Sequence, residues 1–176
     1  MSKKIETVDA ASSVVEVQSK SLFDRVSDYL TEKELRYSSN VDNDLLSFEY
    51  RLRDGAIRVM VEIKEGVGWS RILAYSIYST FVPEHRRVAV VEALSRINYR
   101  SVFGNFEMDL NDGEVRVRTV LEGDSFIGEP MIDRAIGRNL EIADQYQAAL
   151  LAIAFGNASP KEILEMASQS NGAILQ

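Results

Sequence analysis

The sequence predicts an α+β domain: an antiparallel sheet with helices on one face, in the order helix, three strands, helix, two strands, helix. Three observations predict it. Residues 102–121, VFGNFEMDLNDGEVRVRTVL, alternate apolar and charged side chains on both sides of Asp112-Gly113, which is the pattern of a β-hairpin. Residues 46–63 repeat that pattern around Asp54-Gly55. Three longer stretches carry apolar residues at helical spacing, each opened by a capping residue or a proline. Strand pairs separated by helices, without a strict strand-helix alternation, build an α+β domain with one apolar sheet face under the helices and the other open.

Each element has its own reason. Ser21 with Asp24 resembles a capping box, and Leu22, Val26, Tyr29 and Leu30 then share one face, so a helix spans about 21–35. Leu46, Phe48, Tyr50 and Leu52 mark the first strand. Asp54-Gly55 turns the chain, and Ile57, Val59, Val61 and Ile63 form the apolar side of the second, with Arg58, Met60 and Glu62 opposite. A glycine loop at 65–68 leads to a third strand over about 69–81. Here Leu73, Tyr75, Ile77 and Phe81 share one face, read as core together with Trp69, and Ile72, Ala74 and Tyr78 share the other.

Pro83 opens a helix to about 100 with the stripe Val88, Val91, Leu94 and Ile97. In the hairpin, a two-residue loop at Asp112-Gly113 pairs Leu110 with Val115, Asp109 with Arg116, Met108 with Val117 and Glu107 with Arg118. Pro130 begins a helix carrying Ile132, Ile136, Leu140, Ala143, Tyr146 and Leu150, ended by Gly156 in the left-handed cap conformation. Ser159-Pro160-Lys161-Glu162 starts a short last helix, followed by a frayed tail from Ser168. The organisation read from this is a flexible segment over 1–18, in which Val14, Val15 and Val17 offer only a weak strand signal, one domain over 19–156, and a short helix and tail over 157–176.

Composition narrows the function. The 176-residue chain carries a net charge of −7, the wrong sign for neutralising phosphates, so no nucleic-acid partner is expected. It contains no cysteine, which removes disulfides, thiol catalysis and thiolate metal sites and suits a reducing cytosol. The first residues are not an apolar run and no apolar stretch approaches a membrane span. No membrane association is expected, and the predicted location is cytoplasmic.

A resemblance appears once the elements are ordered. Pro83-Glu84-His85-Arg86-Arg87, then Leu94 and Ile97-Asn98-Tyr99-Arg100, then Phe103-Gly104-Asn105-Phe106-Glu107-Met108-Asp109 and Gly113-Glu114-Val115-Arg116 resemble the YbjN-like family of bacterial sensory transduction regulators over roughly residues 20–155. That family's fold is similar to the type III secretion chaperones. The resemblance implies a non-enzymatic, dimeric protein-interaction domain, with no catalytic residues to carry over.

Candidate chemistry is sparse. His85, the single histidine, stands beside two arginines in a first helical turn, as a surface residue. Asp42-Asn43-Asp44 lacks the glycine and closing glutamate of a calcium loop. Glu107, Asp109, Arg116 and Arg118 read as cross-strand ion pairs, Gly66-x-Gly68 as a hairpin loop, and Asn98 as a hydrogen bond to the following turn. That leaves the open sheet face, where Met60, Ile72 and Tyr78 are the predicted protein-binding residues. The sequence reading is therefore a protein-interaction domain of unknown partner, a chaperone-like or regulatory adaptor, acting as a homodimer without a cofactor. A small-ligand sensor and a carboxylate-dependent hydrolase are the alternatives.

Overall fold

The computed structural model describes residues 20–124 and 126–172, with side chains as far as residue 168. The predicted flexible segment 1–18 and the end of the predicted tail lie outside the described residues. Six strands form one sheet: β1 (Tyr37–Asn40), β2 (Leu45–Leu52), β3 (Gly55–Gly66), β4 (Trp69–Tyr78), β5 (Asn105–Met108) and β6 (Val115–Gly123). Their spatial order is β1-β2-β3-β4-β6-β5, and every pairing is antiparallel. The helices α1 (Leu22–Glu32), α2 (Arg87–Arg100), α3 (Glu129–Phe155) and α4 (Ile163–Gly172) complete the chain. The predicted α+β architecture, with helices over one sheet face, is what is found.

The core lies between that face and the helices. From the sheet it takes Leu46, Phe48 and Leu52, then Ile57, Val59, Val61 and Ile63, then Ile72, Ala74 and Tyr78, then Val115 and Val117. From α3 it takes Ile132, Ile136, Ala143, Leu150 and Ile153. Three buried polar side chains dock α3 onto the sheet. Asn139 donates from Nδ2 to the carbonyls of Ala74 and Val117, each at 3.2 Å, and to Thr119 Oγ1 at 3.3 Å. Thr119 Oγ1 donates to Ala135 O at 3.0 Å, and Tyr78 Oη donates to Ala143 O at 2.7 Å. Buried polar groups met in this way fix the position of a helix that apolar contacts alone leave free to slide.

Several expectations change. A short edge strand, β1, precedes β2 and was not foreseen. Asp42 and Asn43 lie in the 3-10 turn Val41–Asn43 that joins the two strands. The hairpin register is two residues away from the predicted one: Met108 pairs with Val115, Glu107 with Arg116 and Phe106 with Val117. The loop is longer because two aspartates fold it internally. Asp109 Oδ1 accepts from the backbone N–H and Nδ2 of Asn111, and Asp112 Oδ1 accepts from the N–H of Glu114. Gly113, at φ +87°, lies so close to Val82 that an added Cβ would sit 2.3 Å from its carbonyl oxygen. Val82 N–H donates to Gly113 O at 2.9 Å.

The α2 stripe is also rotated. Val90, Ala93, Leu94 and Ile97 are buried, whereas Val88 and Val91 face outward. A 3-10 turn, Glu84–Arg86, precedes the helix and resets its phase relative to Pro83. Gly156 ends α3 with extended backbone, φ −103° and ψ −156°, not in a left-handed cap. The Arg86 guanidinium takes the carbonyls of Ile153 and Gly156 instead. The predicted capping box is complete at Ser159 with Glu162 and half-formed at Ser21, whose hydroxyl accepts from Asp24 N–H and donates to the Asp24 carboxylate.

Candidate functional site

The residues that carry the family resemblance turn out to hold the chain together. Arg86 caps α3 from the loop before α2. Arg87 donates to the carbonyls of Val82, Leu110 and Asn111, tying that loop to the β5–β6 hairpin. Asn98 completes a two-bond ring with the backbone of Phe106, donating to its carbonyl at 2.9 Å and accepting its N–H at 2.8 Å. The predicted structural role of Asn98 is thus seen as geometry. Gly104, at φ +80°, sits where a Cβ would press on Thr119 and Ile142 at 3.0 and 3.2 Å. His85 is exposed.

The sheet's far face must be redrawn. Ile63 pairs with Ile72 and Ile57 with Tyr78, so Ile72 and Tyr78 belong to the core face, at 0% and 6% exposure. Of the three predicted binding residues, only half-buried Met60 faces the open side. Its neighbours there are Tyr75, opposite it, Leu73, opposite Glu62, and Ile77, between Arg58 and Arg116. Trp69 shares this open face, so its reading as core is corrected as well. Ile77 is only 7% exposed although no described helix lies on this side, which is what long arginine stems do when they lie along apolar surface. Arg116 stands 4.6 Å over the Tyr75 ring. Glu107 holds two guanidiniums, Arg116 at 2.8 Å and Arg118 at 3.0 Å; the predicted Glu107–Arg118 pair forms, whereas Asp109, expected against Arg116, folds the loop onto Asn111 instead.

A second apolar surface runs along the outside of α2. Val88 is 82% exposed, Tyr99 91% and Val102, just past the helix, fully so. With Val91 they stand at −7, −4, +4 and +7 from Ser95. At 100° per residue Val88, Val91 and Tyr99 fall within about 40° of the Ser95 direction, and Val102 follows beyond the extended Ser101 that ends the helix. The spacing reads the same in both directions, with a small residue at its centre.

Two grooves flank α3. One, of about 400 Å³, is lined by Tyr29, Leu35, Tyr50, Asp133, Gly137 and Leu140 among others. Asp133 accepts from Tyr29 Oη at 2.9 Å and pairs with Lys33 at 3.2 Å. These two partners hold its carboxyl below the ordinary carboxylate range. A carboxylate-dependent hydrolase needs the opposite, an acid raised by burial. Gly137 lies mid-helix with nothing within 4 Å of an added Cβ, a placement that costs about 0.5–1 kcal/mol relative to alanine. The other groove, of about 390 Å³, lies between the end of α2 and α3. Among the described residues no group of three or more histidine or acidic side chains is placed to hold a metal ion, and no helix is long and apolar enough to cross a membrane.

Comparison with known proteins places this geometry. Residues 22–152 match the YbjN family, described as "Putative bacterial sensory transduction regulator". No curated protein matches. Among solved structures, the chain is similar to one described as "Crystal structure of YbjN, a putative transcription regulator from E. coli". It has 12% identity and a TM-score of 0.43, covering 86% of this chain and 92% of that one.

Proposed function

Because the chain belongs to the YbjN family, we propose that it is a non-enzymatic regulatory domain that acts by binding protein, as a two-fold homodimer that presents its open sheet faces to a partner. The observation that carries this reading is the ordering of the exposed apolar side chains. Val88, Val91, Tyr99 and Val102, all open to solvent, line up along the outside of α2 and just past it, whereas the Met60–Leu73–Tyr75–Ile77 set on the open sheet face is half-buried or buried among arginine stems. A stripe with palindromic spacing suits a second copy, since an isologous interface sets residue i against j and j against i. Antiparallel pairing about Ser95 puts Val91 against the second copy's Tyr99 and Val88 against its Val102. Glu92 and Arg96, an ion pair at 2.7 Å within the chain, border one side of the stripe, where they meet their counterparts with opposite charge.

Cysteine chemistry tests the pairing, because the natural chain has none. Packed helix axes lie roughly 8–10 Å apart, which leaves facing Cα atoms about 4–5 Å apart at the crossing point. That is within disulfide reach. Ser95→Cys alone should therefore oxidise to a covalent dimer. Val88→Cys alone should not, its two copies being roughly 21 Å apart along the axis, whereas Val88→Cys mixed with Val102→Cys should. Equal cross-linking at every position, or none, contradicts the two-fold pairing. For the sheet face, a photo-cross-linking residue at Leu73 in living cells should trap a protein that is lost when Ile77→Asp is added. Trapping that survives this change contradicts the sheet-face reading.

A further inference from the structure

The groove between the end of α2 and α3 gathers positive charge in a chain whose net charge is −7. Arg100 comes from α2, Arg134 and Arg138 from successive turns of α3, and Glu141 is the one carboxylate among the lining residues. Glu141 is taken by Arg138 at 2.7 Å. Neither Arg100 nor Arg134 makes an ion pair among the described residues. Like charges four apart on a helix repel, and the pairing of Arg138 with Glu141 offsets only one of the two, leaving Arg134 without an ion-pair partner among the described residues. Beneath them the groove is apolar: Ile97 is buried, and Phe103, Ile142 and Tyr146 are half-buried. The Tyr146 ring is fixed edge-on to Phe106 with centroids 5.5 Å apart, so part of the floor is rigid before anything binds. The volume of about 390 Å³ falls within the range of small-molecule sites.

We infer that this groove is a binding site for a small organic anion, a carboxylate or phosphate monoester carried on an apolar or aromatic body. The guanidinium fork matches both anionic groups in bidentate geometry, and the Phe103–Ile142–Tyr146 floor takes the body. The groove shares Val102 with the proposed α2 pairing and Glu141 with the groove across α3, but Arg100, Arg134 and Arg138 belong to neither the α2 stripe nor the sheet face, so the anion-binding arm of the site is separate from the proposed dimer contact.

The test titrates the full chain with 3-phenylpropionate and phenyl phosphate, and in parallel with neutral 3-phenylpropanol, cationic phenethylamine and inorganic phosphate, followed by backbone NMR. Both organic anions should shift the amides of Phe103, Arg138 and Ile142 and bind at least 10-fold more tightly than the alcohol or the amine. Inorganic phosphate should bind more weakly than phenyl phosphate if the floor contributes. Arg134→Gln should weaken the anions several-fold and leave the alcohol unchanged, with an unaltered circular dichroism spectrum showing that it folds. Arg134→Lys should recover part of the loss. Anion affinity should fall as salt rises. Equal binding of anion and alcohol overturns the assignment, as does the absence of shifts with millimolar anion. Shifts in this groove with an acidic peptide but with neither small anion overturn it too, in favour of a protein partner.

Discussion

Tyr78→Phe separates the core reading of this residue from the surface reading its sequence position invites. The hydroxyl donates to Ala143 O at 2.7 Å in a fully buried setting. Removing it keeps the ring and its packing, and the loss is one buried hydrogen bond, about 1–2 kcal/mol. For a chain of this length that lowers Tm by roughly 2–8 °C. The same burial pushes the phenol well above its ordinary pKa of 10.0. In the unfolded chain it ionises near pH 10 while in the folded protein it stays protonated. Its contribution is therefore fully present below about pH 10 and is lost as pH rises above it, at about 1.4 kcal/mol per pH unit. The phenylalanine variant has no such loss. Urea unfolding of both proteins should show the wild type ahead at about pH 7 and the two curves meeting near about pH 11, roughly one unit above the unfolded pKa. A variant as stable as wild type at neutral pH, or a gap that does not narrow in alkali, would refute the buried placement.

Asn139→Ala removes three donations that dock α3 on β4 and β6 and should cost about 2–4 kcal/mol in urea unfolding; a loss below ~1 kcal/mol would mean α3 is held by apolar packing alone. Gly137→Ala should raise stability by about 0.5–1 kcal/mol, since its Cβ enters open space; a lower Tm would show that something unseen occupies that position. Asp133 is held below the ordinary carboxylate range, so its contribution is present above about pH 4 and lost as pH falls further. Asp133→Asn should therefore be the less stable protein at about pH 6 in low salt and equal to wild type at about pH 2. A gap that persists in acid contradicts the ion-pair cause.

Much of the fold was legible because local chemistry and global pattern agree. Serine caps, the proline before α2, the turn before Gly55 and the alternation in β2 and β3 all point to elements that exist. The misreadings have physical causes. β4 is apolar on both faces, so alternation could not say which face is core. The turn could have: a two-residue loop at Val67-Gly68 sets Gly66 opposite Trp69 and so carries Ile72 to the side of Ile63. The same rule fails at Asp112-Gly113, where two aspartate side chains and the contact with Val82 make a longer loop. α2 has apolar residues around most of its circumference, and the buried set was mixed with the exposed one. Val88 and Val91 were read as core, and the surface they form with Tyr99 was hidden by that error. The arginine groove joins residues more than thirty positions apart and has no local signature.

The central claim is that two copies meet across the outer face of α2. Light scattering on the wild type and on Tyr99→Asp, over a wide concentration range, tests it most directly. The account predicts a wild-type mass of twice 19.8 kDa that persists on dilution, and a fall to one chain for Tyr99→Asp with its circular dichroism unchanged. A wild type that is monomeric at every concentration, or a variant that remains dimeric, would contradict it.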